Sequence, residues 1–188
     1  MSVTEPLSGE TSTWEDPPSR AQARRLRTAQ SFEVFYTSEF PSLVALARAL
    51  TGSAAAEDIA QEAMIATYRR WREIEQYEQP AAWVRRVCAN LSTSLIRRRA
   101  AEARALLRAG GLRHVQTDLP REDEEFWVEV RRLPRRQAQS LSLHYIYDMQ
   151  VSDIALTLGC SASSVKAHLV RGRAALSVRL GVAEEDRP

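Results

Sequence analysis

The sequence predicts an all-α protein: two small helical domains joined by a flexible linker, the C-terminal one a helix-turn-helix. Three observations carry this reading. Apolar residues recur every three or four positions and nowhere alternate at period two. Turn-forming residues such as Thr51-Gly52-Ser53 and Gly159 stand where such stripes stop. A mixed segment with Gly110-Gly111 and Pro120 separates two helical sets.

Taken in order, residues 1–30 hold Pro6, Pro17, Pro18 and many Ser, Thr and Glu, the composition of a disordered tail. From Ser31 a stripe begins at Phe32, Phe35, Tyr36, Phe40, Leu43, Ala47 and Leu50, with Pro41 expected to kink or split the helix. Thr51-Gly52-Ser53 should end it and cap the next, expected over 54–71. After a loop at 73–80, a third helix is expected over 81–99, burying Val84, Val87, Cys88, Leu91 and Leu95. Residues 100–121 read as linker, and 122–182 as the second helical domain.

Composition narrows the function classes. Hydrophobic residues make up 44%, enough for one or two modest cores. No apolar run is long enough to span a bilayer, and MSVTEPLSGE lacks a signal peptide's basic and apolar regions, so a cytoplasmic protein without membrane insertion is expected. Cys88 and Cys160 lie far apart with no CxxC partner, which favours packed reduced thiols over a disulfide or metal site. No HExxH, nucleotide loop or paired Cys/His set is present, and His114, His144 and His168 lack ligand spacing. No enzyme, cofactor or metal is therefore expected. The net charge of +2 hides an uneven spread. Seven arginines against Glu102 lie between Arg85 and Arg108, and five acids against Arg121 between Asp118 and Glu125. Such blocks suit a chain that meets a polyanion with some surfaces only.

The stretch VSDIALTLGCSASSVKAHLVRGRAAL (151–176) carries the sharpest local signal. Ile154, Ala155 and Leu158 share one face, Gly159 supplies a left-handed turn, and Ser161 is a good N-cap. Val165, Leu169 and Leu176 then return to the core at helical spacing. That is the spacing of a helix-turn-helix, whose second helix enters the major groove. Ser163, Ser164, Lys166, Ala167, His168 and Arg171 face outward: cations for phosphates, small donors and acceptors for base edges.

The longer segment LPRRQAQSLSLHYIYDMQVSDIALTLGCSASSVKAHLVRGRAAL (133–176) resembles the promoter-reading domain of bacterial sigma factors. Two upstream stretches extend the likeness. AEDIAQEAMIATYRRW (56–71) resembles the polymerase-binding helix of the first conserved sigma domain. WVRRVCANLSTSLIRRR (83–99) resembles the helix that handles the promoter's downstream element. The matches stand in family order over about 31–180, and residues 100–121 leave no room for the central domain of housekeeping sigma factors. The chain therefore resembles the extracytoplasmic-function (ECF) group.

The resemblance implies core RNA polymerase (clamp helices and flap) and promoter DNA as partners, with an anti-sigma factor as a further one. It implies a polymerase-binding face at Asp58, Gln61, Glu62 and Ile65, which helical spacing places together. It implies downstream-element contacts from the 73–80 loop with Tyr77, and from Trp83, Arg86, Asn90, Arg97 and Arg98. Upstream-element contacts fall to Ser161, Ser163, Ser164, Lys166, His168, Arg171 and Arg173. The tether ending DLPREDEEFW (118–127) is expected to thread the channel used by template strand and nascent RNA. Ser94, where the family often has Asp or Asn, and Ala138, where arginine is common, depart from the pattern. The competing reading is a stand-alone helix-turn-helix regulator, which leaves the Asp58–Glu62 face and the arginine-rich helix without a role.

Overall fold

A computed structural model describes residues 20–52, 54–108 and 124–181, with the backbone alone for residues 20–30. Among the described residues the chain forms eight helices and no strand. These are α1 (Arg20–Thr51), α2 (Ala56–Arg69), α3 (Trp71–Ile74), α4 (Pro80–Arg108), α5 (Glu124–Arg131), α6 (Arg135–Tyr147), α7 (Val151–Leu158) and α8 (Ala162–Leu180).

Four boundaries differ from the expected ones. Helix α1 begins at Arg20, eleven residues before Ser31, so the part of the expected tail from residue 20 is helical. The stretch RAQARRLR is rich in good helix formers and has no proline, which explains the gain. The same helix runs unbroken through Pro41, which is exposed. Just upstream, the Thr37 hydroxyl donates to the Glu33 carbonyl (2.9 Å) and the Ser38 hydroxyl to the Phe35 carbonyl (2.9 Å). The expected helix 54–71 divides into α2 and the single turn α3, with Ala55 at the N-cap. Ser53 lies outside the described residues. Helix α4 continues nine residues beyond the expected end at 99, because RRRAAEARALLR (97–108) is again all strong helix formers. Only residues 109–121 of the expected linker fall outside the described residues, as do residues 1–19 of the tail.

In the N-terminal half, α1, α2 and α4 pack as a three-helix unit around Leu43, Leu46, Met64 and Val84, all 2% exposed or less. Phe32 and Phe35 of α1 seat Trp71 between them, with ring centroids at 5.3 and 4.8 Å. The C-terminal half folds α6, α7 and α8 around Leu141, Leu143, Ile154 and Val165, with α5 against α6 and α8. Glu129 ties α5 to α8 by pairing with both Arg132 and Arg179. The two halves are also packed on one another: α1 against α5 and α6, and α4 against α7. A single apolar cluster runs through both. Stripe periodicity reveals which residues of a helix are buried, but not whether the cover is its own half or the other.

Where α8 crosses α6, Gly172 lets the two backbones approach. A Cβ added there would stand 2.7 Å from Leu141 Cδ1, and Leu141 is fully buried. Gly172→Val is expected to cost about 1–3 kcal/mol through overpacking, outweighing the small gain in helix propensity. A thermal melt should show the loss. A melting temperature at or above that of the parent chain would mean that Leu141 yields freely.

Candidate nucleic-acid and polymerase interfaces

Three surfaces carry the expected site residues. The first is the outer face of α2. Asp58, Gln61, Glu62 and Ile65 are all exposed and share this face, while Ile59, Ala60 and Ala63 are buried beneath it. Two grooves flank it. One is apolar, about 370 Å³, between α1 and α2; it is lined by Phe32, Tyr36, Met64, Tyr68, Gln61 and Ile65. The other, about 410 Å³, lies between α2 and α4, where Asp58 and Glu62 face Ser94 and Arg98. The face therefore offers two acids and a half-exposed isoleucine beside an aromatic trough. The sequence reading missed Tyr68, which is 59% exposed. Its signal was available, because residues 61, 65 and 68 follow helical spacing.

The second surface is the start of α4 and the turn before it. Pro80 opens the helix, at a place where its missing N–H costs nothing. Tyr77 is 38% exposed, and its hydroxyl donates to the Glu73 carboxylate at 2.5 Å. Arg70 donates three bonds to the same carboxylate, one from Nε at 3.1 Å and two from Nη2 at 2.7 and 2.9 Å. The Tyr77 hydrogen bond, then Arg70, hold the Glu73 carboxyl below its ordinary value, so it stays an acceptor. The Arg70 guanidinium also lies 5.5 Å from the centroid of the Trp83 ring. Trp83 is half-buried against the core and also flanks this turn. Tyr77, Glu73, Arg70 and Trp83 thus form one polar–aromatic patch, of which the sequence reading had picked out the two aromatics only.

Further along α4, Arg86, Asn90, Arg97 and Arg98 are all exposed by area. They differ in what they touch. Arg97 stands toward solvent, and Arg98 makes a loose pair with Glu102 at 3.6 Å. The Asn90 side-chain oxygen accepts a hydrogen bond from Arg135 of α6 at 2.8 Å. The Arg86 guanidinium lies against Gly159, where an added Cβ would sit 2.9 Å from its Nη2.

The third surface is α8. Gly159 takes the left-handed conformation (φ 62°), and Ser161 is the N-cap, its hydroxyl accepting from the Ser164 N–H at 3.2 Å. The Ser163 and Ser164 hydroxyls lie 3.0 and 2.8 Å from that same oxygen. Both hydroxyls therefore crowd the cap; Ser164 is half-buried, while Ser163, Lys166, Arg171 and Arg173 stand exposed. Arg173 reaches over the Tyr145 ring at 6.0 Å. His168 is half-buried. Burial, with Arg171 and Arg136 nearby, holds its imidazole below the ordinary 6.5, so it is neutral at pH 7. A histidine lowered in the folded chain takes up its proton more readily once unfolded. Its contribution to stability is present above the unfolded value and is lost as pH falls through the folded one.

Among the described residues no cluster of metal-binding side chains occurs, and no helix is long and apolar enough to cross a membrane. Both cysteines are free. Cys88 is fully buried; burial pushes its thiol up to about 12, so it behaves as a packed apolar group.

Comparison with known proteins follows the same division of the chain. Residues 35–102 match the family model for Sigma-70 region 2, and residues 123–176 that for Sigma-70, region 4. A curated relative, a probable RNA polymerase sigma factor RfaY of Xanthomonas campestris pv. campestris, is 31% identical over 147 residues. That match takes in 71% of this chain but only 36% of the relative, so the chain spans about a third of the relative's length. Two solved structures share the fold at 21% identity each. One is the sigma factor RpoE in complex with the anti-sigma factor NepR from Bartonella quintana, with a TM-score of 0.67, covering 82% of this chain and 99% of that one. The other is CnrH in complex with the cytosolic domain of CnrY, with a TM-score of 0.61, covering 86% and 99%.

Proposed function

Because the chain belongs to the sigma-70 family, carrying its region 2 and then its region 4, we propose that it is an ECF-type promoter-specificity subunit of bacterial RNA polymerase. On this reading it binds core enzyme, reads the upstream element with α8, and opens and reads the downstream element with the turn at 75–79 and α4. The observation that carries the proposal is the pairing of both regions in family order in one chain, with only residues 103–122 between them.

The outer face of α2 supports the first role. Its acids and apolar trough suit a partner surface that is basic and partly apolar, which the clamp helices of polymerase supply. The Tyr77–Glu73–Arg70–Trp83 patch supports the second. A base leaving the duplex needs a flat platform and polar groups for its edge, and both stand together there. The exposed arginines of α4 supply phosphate contacts on either side. On this reading the chain has no covalent chemistry of its own; DNA opens because binding favours the unpaired strand. An anti-sigma partner is proposed by likeness to RpoE, whose structure is a complex with one. The expected compartment is the cytoplasm, where polymerase works.

The test is copurification with core polymerase, followed by run-off transcription from a genomic promoter library. Retention on core enzyme without DNA and promoter-dependent transcripts are the expected results. Tight sequence-specific binding to duplex DNA without polymerase, and none to core, would instead identify a stand-alone regulator.

A further inference from the structure

Contacts along the N-terminal bundle fix where its helices end relative to one another. Glu39 of α1 pairs with Arg85 of α4 at 2.7 Å, and the Cys88 thiol donates to the Leu43 carbonyl at 3.6 Å. The two pairs are 46 and 45 residues apart in sequence, so α1 and α4 run parallel and Pro80, at the start of α4, is level with residues 34–35 of α1. Helix α2 runs the other way and ends at the same level, where the Phe32 ring lies 4.9 Å from Tyr68 and 5.3 Å from Trp71. Residues 20–30 of α1 therefore extend past the ends of both neighbours, by about 16 Å at 1.5 Å per residue. They form a helical arm at the end of the bundle that carries Tyr77, Trp83 and the 75–79 turn. The arm, RAQARRLRTAQ, holds Arg20, Arg24, Arg25 and Arg27 and no acid. Arg20, Arg24 and Arg27 stand at i, i+4 and i+7, the spacing of one helix face. Arg69 and Arg72, exposed at the close of α2 and in α3, add cations at the same end. With Arg70 included, arginines outnumber the acids there (Glu33, Glu73, Glu75 and Glu78) seven to four, and Glu73 is already held by Tyr77 and Arg70.

Resting on the functional reading above, we propose that the arm of α1 is a phosphate-binding element: it holds the backbone of the unpaired promoter strand on the side of the 75–79 turn away from α4. The turn takes one base out of the strand, and the arginines of α4 hold phosphates to one side of it. A strand that passes through the turn leaves on the other side, and there the arm places three cations in line. Like charges at i, i+3 and i, i+4 work against a helix on its own; a chain of phosphates laid along them turns that repulsion into attraction. The composition of the arm narrows the occupant. Leu26 is its one large apolar residue, so no apolar stripe suits a membrane surface or a partner helix. It has no aromatic residue on which bases could stack. The arm therefore grips without reading sequence, and the choice of bases stays with the turn and α4.

The test combines Arg20→Gln, Arg24→Gln and Arg27→Gln in the full chain, since glutamine keeps helix propensity while removing charge. The probe is a mixed-sequence pool of single-stranded DNA, titrated over a range of salt without polymerase. Each phosphate contact to a single strand adds about 0.7 to the salt slope, so three lost contacts should lower it by about two, with affinity down about tenfold or more. The same three positions changed to lysine should keep the parent's slope. Arg48→Gln, an exposed position at the opposite end of α1, should leave the slope unchanged. In polymerase holoenzyme, the glutamine variant should lose the affinity gained by lengthening an unpaired tail on one side of the downstream element only, and equally for every tail sequence. An unchanged slope in the glutamine variant, or no binding of the parent to the pool, overturns the proposal. So does an Arg48→Gln effect as large as that of one arm arginine changed alone, which would mean that only net charge counts. Weaker binding to core polymerase with DNA binding intact overturns it too, and would make the arm a protein contact. Failure of parent and variants alike to bind core polymerase overturns the functional reading instead, while the salt slopes still decide whether the arm holds phosphates.

Discussion

Asp58→Arg combined with Glu62→Arg is expected to abolish binding to core polymerase while leaving the chain folded. Both carboxylates are exposed on the outer face of α2, with the core residues Ile59, Ala60 and Ala63 on the opposite side. Little packing is therefore lost. The local cost is that of removing Asp58 from the first turn of α2, about 0.3–1 kcal/mol of helix-dipole stabilisation. The interface cost is much larger, because two attractive contacts with a basic partner become repulsive. Like charges set against each other cost several kcal/mol, so a loss of about 100-fold or more in affinity is expected. In the groove between α2 and α4 the new arginines would also face Arg98. Ile65→Ala should act more gently, since it trims apolar area without adding repulsion. The measurement is a titration of core enzyme against each variant, with circular dichroism alongside. A folded double variant that binds core like the parent would remove α2 as the interface.

The helical class, the helix-turn-helix and the outer face of α2 were all legible in the sequence, for a common physical reason. Each depends on spacing along one helix. Val165, Leu169 and Leu176 are 5% exposed or less, Gly159 has its positive φ, and Ser161 is the cap. Asp58 to Ile65 form one exposed face. Helix ends were less legible. Pro41 gives a strong local signal to break, yet α1 runs through it. The arginine-rich end of α4 looks like linker by charge and like helix by propensity, and propensity prevailed. Contacts between the halves were not legible at all. Nothing about the spacing of Asn90 or Gly159 announces Arg135 or Arg86 as neighbours, because those pairs are made by tertiary packing of segments 45 and 73 residues apart. The division of labour on α8 was only partly legible. Ser161, Ser163 and Ser164 look equivalent in sequence, yet Ser161 alone is the N-cap, Ser164 is half-buried and Ser163 is exposed.

That division sets the second large effect. Changing Lys166, Arg171 or Arg173 to alanine should weaken upstream-element binding evenly across sequences, because an exposed cation on phosphate carries no base information. Each change should lower the salt slope of binding by about one. Ser163→Ala and His168→Ala should behave otherwise. Ser163 is exposed at the first turn of α8, the part of a recognition helix that meets base edges. His168 is neutral at pH 7, held so by burial and by Arg171 and Arg136, so its ring offers one donor and one acceptor. Loss of a good base contact shifts the preferred base at one position by roughly 1–3 kcal/mol. The His168 preference should not change between pH 7 and pH 8, since the ring does not titrate there. Ser164→Ala should act through stability, because Ser164, unlike Ser163, is half-buried, with its hydroxyl 2.8 Å from the capping oxygen of Ser161. Ser161→Ala should lower the melting temperature by the loss of an N-cap, about 1 kcal/mol, with binding reduced only as folding is. The measurement is a promoter library transcribed by polymerase carrying each variant, with salt titrations of binding. Base preferences unchanged by Ser163→Ala and His168→Ala, together with altered upstream preference from changes at Tyr77 or Glu73, would mean that α8 is not the reading helix. Altered preference from Ser164→Ala at full stability would return that hydroxyl to the DNA.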